Sequence, residues 1–202
     1  KSRRRSGRKK EQLINSTILV AMAGGIFILP YFVFSATAGQ IADKYEKSLI
    51  IKRIKLAEIF IATLAAIGFI SQDLVMLMTV LFFMGIQSTF FGPLKYGILP
   101  QHLEVHELTG GNGLIQMGTY FAILGGTIIG GILININTAG IFLVSVLVIC
   151  VAIAGYMASR RIPKANAAEN GVIIDWNIIR HTFVIIRYVI SKKNIFFVII
   201  AI

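Results

Sequence analysis

Charge is what this sequence lacks over its longest stretches. Charged residues are 14% of the 202 and hydrophobic residues 56%, where a soluble domain carries about 25% charge. The deficit is concentrated: no Asp, Glu, Lys or Arg occurs from Leu13 to Ala42, from Leu74 to Leu94, or from Thr109 to Ser159. One such run fits a buried core helix. A bilayer span needs about 20 apolar residues, and several runs of that length in series exceed what one soluble core can bury. Cysteine is nearly absent: Cys150 stands alone, which excludes an intrachain disulfide, and its apolar run reads as the setting of a packed, inert thiol. Acids are scarce as well, leaving a net charge of +11. Nucleic acid is the first partner to consider for a basic chain. Here, however, the basic residues beyond Lys10 gather at the ends of apolar runs, which is a topology signal of membrane proteins and argues against a nucleic-acid partner.

What is present is a series of membrane-length segments. The spacing predicts an all-α membrane protein with spans at roughly 13–41, 49–70, 74–96, 111–135 and 138–159, and a sixth run that begins near Asn194. Backbone groups in lipid must bond within their own segment, so spans of this length are helices. Glu58 interrupts the second span, which is affordable if it faces protein or the interface. No Asp, Glu, Lys or Arg is expected at the middle of a complete span, and so no carboxylate proton relay.

The joints set the orientation. Asp43–Lys55 carries Lys44, Lys47, Lys52, Arg53 and Lys55; Ser71–Asp73 carries no base; Lys95–Glu107 carries Lys95, His102 and His106; Asn135–Gly140 carries none; and bases return after Ser159. The alternation places the basic joints in the cytoplasm, as expected of a multi-pass protein of a bacterial-type inner membrane. Residues 1–12, a basic tract expected to be a disordered tail, break the pattern. With joint 43–55 inside, residue 1 falls outside, although seven of the first ten residues are Lys or Arg. The expectation is that a span is missing before Leu13 or that residues 1–10 are foreign to the fold. A cleaved signal peptide is disfavoured, because its apolar region runs about 7–15 residues. Residues 13–159 are thus read as the transmembrane bundle, 160–193 as a cytoplasmic joint and 194–202 as the start of a truncated span. Within the joint, Pro163–Gly171 reads as linker. Val172–Ile190, with Trp176 and Tyr188 suited to an interface, reads either as an amphipathic helix on the membrane or as a plain connecting helix.

Several motifs carry chemistry. Gly39-Gln40-Ile41-Ala42-Asp43-Lys44-Tyr45-Glu46-Lys47 closes the first span: Gly39 permits close helix approach, Asp43 can meet donors at a helix N-terminus, and Lys44 and Lys47 suit phosphates or acids. The plainer reading is an ordinary polar helix end. Gly118, Gly125, Gly126, Gly130 and Gly131 place small residues along one helix, a pattern for close crossing in lipid. Gln87, Ser88 and Thr89, and later Gln116, Thr119 and Tyr120, put neutral hydrogen-bonding groups inside spans; these serve a polar substrate or a neighbouring helix equally well. Lys95 snorkels to water or binds a lipid phosphate. His102 and Glu107 form His-x-x-x-x-Glu, resembling an acyltransferase motif that uses Asp instead, without an accompanying acyl-phosphate site. His102 and His106 lack a third metal ligand. Neither enzymatic chemistry, a cofactor nor a metal is therefore expected.

The loop segment resembles the G-x-x-x-D-[RK]-x-G-x-[RK] signature of the major facilitator superfamily, with Glu46 and Ser48 departing from it. Taken with Gly25–Pro30, with Met84-Gly85-Ile86-Gln87-Ser88-Thr89-Phe90-Phe91-Gly92-Pro93-Leu94-Lys95-Tyr96-Gly97-Ile98-Leu99-Pro100, and with Gly110-Gly111-Asn112-Gly113, the chain resembles the lysophospholipid-transporter branch of that superfamily. The resemblance covers about residues 12–202 and implies helices two to six of an N-terminal half, plus the first turns of helix seven. It implies a lysophospholipid substrate bound between two halves, the lipid bilayer as environment, and an acyltransferase, fused or separate, as partner. On that basis Gln87, Thr89, Gln116 and Tyr120 are the candidate substrate contacts. Gly39, Asp43, Lys44 and Lys47 form the conformational loop motif, and Gly118, Gly126, Gly130 and Gly131 the packing glycines. The competing readings are a non-transporting remnant, a transporter of another solute, and a basic tether through residues 1–10.

Overall fold

A computed structural model describes residues 2–136, 139–167 and 178–192. Its elements are α1 (Ser2–Lys44), α2 (Lys47–Ser71), α3 (Leu74–Gly97), a 3-10 turn (Leu99–Gln101), α4 (Leu108–Ile134), α5 (Gly140–Ser159) and α6 (Ile178–Ser191). Among the described residues, five helices are long and apolar enough to cross a membrane, the five spans expected from the sequence. The basic tract expected as a separate tail continues directly into α1. Trp176 and the run from Asn194 lie outside the described residues. The described part of the 172–190 segment is α6, which contacts α1 and exposes Phe183, Val184, Tyr188 and Ile190.

Local chemistry explains the tightest joint. Gln72 adopts a left-handed conformation (φ 54°, ψ 31°) after α2. The N–H of Gln72 donates to the Phe69 carbonyl and that of Asp73 to the Gly68 carbonyl at 3.2 Å, the paired closure of a helix that ends in a left-handed residue. Asp73 then caps α3: its Oδ1 accepts from the Val75 and Met76 N–H groups at 2.9 and 3.1 Å. Two residues between α2 and α3 thus suffice to reverse the chain.

α3 is the centre of the arrangement. It packs along α1 on one side and α2 on the other; α2 also lies along α5, and α4 touches α5 and the 3-10 turn. Small residues make the closest crossings, as van der Waals packing in lipid requires. A Cβ on Gly85 would collide with the Phe27 carbonyl oxygen and stand 3.0 Å from the Pro30 ring, so α3 meets α1 backbone to side-chainless backbone. The Phe34 and Phe90 rings, 6.3 Å apart, continue that seam. On α2, the buried residues Ala62, Ala65, Ala66 and Gly68 form the small face, and α5 buries Ser145 and Ala152.

An apolar cluster of Ala42, Ile51 and Leu94, backed by Phe91, Ile98 and Ile162, seals the end of the bundle where the basic joints meet. There the Lys47 N–H donates to the Ala165 carbonyl at 3.0 Å and Gln101 Nε2 donates to the Asn166 carbonyl at 3.0 Å. The charge-poor joint at Ser71–Asp73 lies at the opposite end of α2. Large exposed side chains such as Phe32, Phe60 and Phe121 need no aqueous explanation where lipid is the solvent. Cys150 is exposed on α5, which corrects the expectation of a packed thiol: its apolar run faces outward.

Candidate functional site

α1, α2, α3 and α4 line an open cavity of about 940 Å³. Its wall divides by chemistry. Phe27, Met84, Leu114, Ile115 and Ile123 give it apolar surface, while Lys55, Glu58, Gln87, Ser88, Lys95 and Thr119 give it a polar one. Glu58 Oε2 accepts from Lys55 Nζ at 2.7 Å and from Gln87 Nε2 at 2.8 Å, joining α2 to α3. The Lys55 and Glu58 side chains are only 19% and 21% exposed. The Lys55 ammonium also stands 4.7 Å from the centroid of the Phe91 ring, within cation–π range. Lys95 Nζ donates to Thr119 Oγ1 at 3.3 Å, bridging α3 to α4, and lies 4.8 Å from the Tyr96 ring centroid.

This arrangement corrects the expectation that no charged residue lies at mid-span. Counted as a joint, Asp43–Lys55 removed Lys55 from the membrane; in fact α2 begins at Lys47, and Glu58 lies near the middle of its 25 residues. The signal was readable. Ile51, Lys55, Glu58, Ala62 and Ala65 follow helical spacing, and Ile51, Ala62 and Ala65 are buried, so the two charges share the inward stripe. Lys95, weighed beforehand as a snorkelling residue, turns into the cavity.

The other expected residues are placed as follows. Gln87 and Gly118 line the cavity. Thr89 is buried at 3% exposure, with Oγ1 donating to the Gly85 carbonyl at 2.7 Å, so it belongs to the α1–α3 seam. Gln116 lies on the exposed side of α4, its Oε1 accepting from the Tyr96 hydroxyl at 2.8 Å, and Tyr120 is 61% exposed. A Cβ on Gly39, Gly118, Gly126, Gly130 or Gly131 would meet nothing within 4 Å among the described residues; the crossing glycine is Gly85. In the loop motif, Asp43 is exposed and Lys44 stands 5.7 Å from the Tyr45 ring centroid. Lys47 is 3% exposed, and its Nζ has no hydrogen-bond partner among the described residues. His102 Nδ1 sits 3.1 Å from the Ile98 carbonyl, while Glu107 Oε2 accepts from the Glu104 N–H at 3.1 Å, so each contacts backbone. Among the described residues no group of three metal-ligating side chains occurs.

Five membrane-length helices, four of which line an amphipathic interhelical cavity, define a polytopic membrane protein. The chain belongs to the Major Facilitator Superfamily, whose family model matches residues 10–202. It is similar to proteins named lysophospholipid transporter LplT. That of Photorhabdus laumondii is 31% identical over 156 residues, 76% of this chain and 36% of the relative. That of Pectobacterium carotovorum is 29% identical over 148 residues, 72% and 33%, and that of Escherichia fergusonii 30% over 161 residues, 78% and 37%. The chain therefore spans about a third of the length of these relatives. No solved structure matches it.

Proposed function

We propose that this chain forms part of the translocation path of a lysophospholipid transporter of a bacterial inner membrane. The observation that carries the reading is the cavity's uneven charge. Lys55 is balanced by Glu58, whereas Lys95 meets a neutral hydroxyl. Among the described residues one ammonium thus has no carboxylate to meet, beside an apolar wall formed by Phe27, Leu114 and Ile123. A single-chain amphiphile with a phosphodiester fits both halves of that surface: the phosphate at Lys95, where charge-assisted bonds are strong, and the acyl chain along the wall. The names of the relatives point to the same class of solute.

Alternating access is part of the same proposal. Substrate in this kind of fold lies between two halves that rock about it, and the Gly39–Lys47 joint stands where α1 turns into α2. An acyltransferase, fused or separate, is the proposed partner because a delivered lysolipid is its acyl acceptor. Reconstitution of the full-length gene product in proteoliposomes, with uptake of labelled lysophospholipid as readout, tests the reading. Lys95→Gln is expected to cut uptake at least about tenfold, the loss of one charge-assisted contact. Uptake unchanged by Lys95→Gln, or a wild-type protein that carries a different solute and no lysolipid, refutes it.

A further inference from the structure

Glu58 is the cavity's acid, and phosphate binding at Lys95 gives it no task. Both of its hydrogen bonds fall on one oxygen: Oε2 takes Lys55 Nζ at 2.7 Å and Gln87 Nε2 at 2.8 Å. Oε1 has no hydrogen bond among the described residues, although a carboxylate oxygen accepts readily, and the residue borders the cavity. The group is also held in place. Lys55 is fixed by Glu58, by the Phe91 ring and by α5, where a Cβ on Gly155 would touch its stem and ammonium at 3.7 Å.

The pairing selects the kind of donor that suits Oε1. Lys55 already neutralises the carboxylate, so a second cation there would crowd the first. A neutral hydroxyl meets no such repulsion. We propose that Glu58 Oε1 accepts a hydrogen bond from the free glycerol hydroxyl of the lysolipid and is the residue that separates single-chain from two-chain phospholipids. This rests on the lysophospholipid reading above. A hydroxyl on the glycerol backbone is what a lysolipid has and a diacyl lipid lacks, and a site built to bond that hydroxyl rejects the analogue without it, because its own polar group is then left unpaired.

The test is competition binding to the full-length protein in nanodiscs, with a fluorescent lysophospholipid as tracer. The competitors are a 1-acyl-2-hydroxy lipid and its 2-deoxy analogue, each with an ethanolamine and with a glycerol headgroup. Wild type should prefer the hydroxy lipid at least about tenfold with either headgroup. In Glu58→Met that preference should fall to within about twofold. Because Glu58→Met strands the Lys55 ammonium, the double variant Lys55→Met/Glu58→Met is measured alongside it, and it too should lose the preference. Variants that keep the hydroxyl preference, or a loss that follows the headgroup, overturn the proposal while leaving the transport reading standing. A wild-type protein that binds no lysolipid overturns both.

Discussion

Gly85→Ala should be among the most damaging one-carbon changes in the bundle. The added carbon would sit within van der Waals distance of the Phe27 carbonyl oxygen and 3.0 Å from the Pro30 ring. Neither partner can rotate aside: one is backbone and the other a proline within α1. α1 must therefore withdraw from α3 along a crossing that also holds the Phe34–Phe90 contact. Overpacking of this kind costs about 1–3 kcal/mol, or about 5- to 150-fold in the folded population. At about 2–4 °C per kcal/mol for a chain of this size, the loss is readable as the temperature at which the detergent-solubilised monomer peak disappears in size-exclusion chromatography. Gly92→Ala is the matched control, on the same helix but with nothing within 4 Å of its Cβ. An unchanged melting temperature for Gly85→Ala, or an equal loss for Gly92→Ala, would refute the packing argument.

Two further outcomes follow from the joints. Asp73→Ala removes the acceptor of the Val75 and Met76 N–H groups and should lower stability by about 1 kcal/mol in the same melting assay; no change would mean that water caps α3 equally well. In a Cys150→Ser background, a cysteine at Ser71 and one at Gln101 should react with an impermeant thiol reagent from opposite sides of sealed vesicles, because the basic and base-free joints occupy opposite ends of α2 and α3. Labelling of both from one side would remove the topology on which the cavity's orientation depends.

The helices were legible because hydrocarbon leaves little choice. Charge-free runs such as Leu74–Leu94 and Thr109–Ser159 have nowhere else to go, and the polar breaks at Ser71–Asp73 and Asn135–Gly140 mark where the chain turns. The packing was less legible. Gly126, Gly130 and Gly131 look like a crossing motif in one dimension, yet α4 buries none of its described residues, and a Cβ at these glycines meets open space. Spacing tells which residues share a helix face but not which neighbour that face meets. Gly85, by contrast, stands within a longer motif with no repeat around it, and its role appears only when α1 is laid against it.

The cavity was half legible for a related reason. Gln87 stood out as an amide in an otherwise apolar run. Lys55 and Glu58 did not, because counting bases to orient the chain assigns every lysine near a span end to water. Hydropathy and topology rules treat charge as a cost to be kept outside, and they are right for Lys52 and Arg53, the one partly buried and the other exposed. They fail where two opposite charges a turn apart on one helix neutralise each other and are met by an amide from the next. Such a pair is affordable in the membrane where the mutual attraction and the added amide bond offset the cost of desolvating both charges. The same arithmetic makes Lys95 informative. Among the described residues its ammonium meets a hydroxyl and no carboxylate, and that is why an anion is proposed as its ligand.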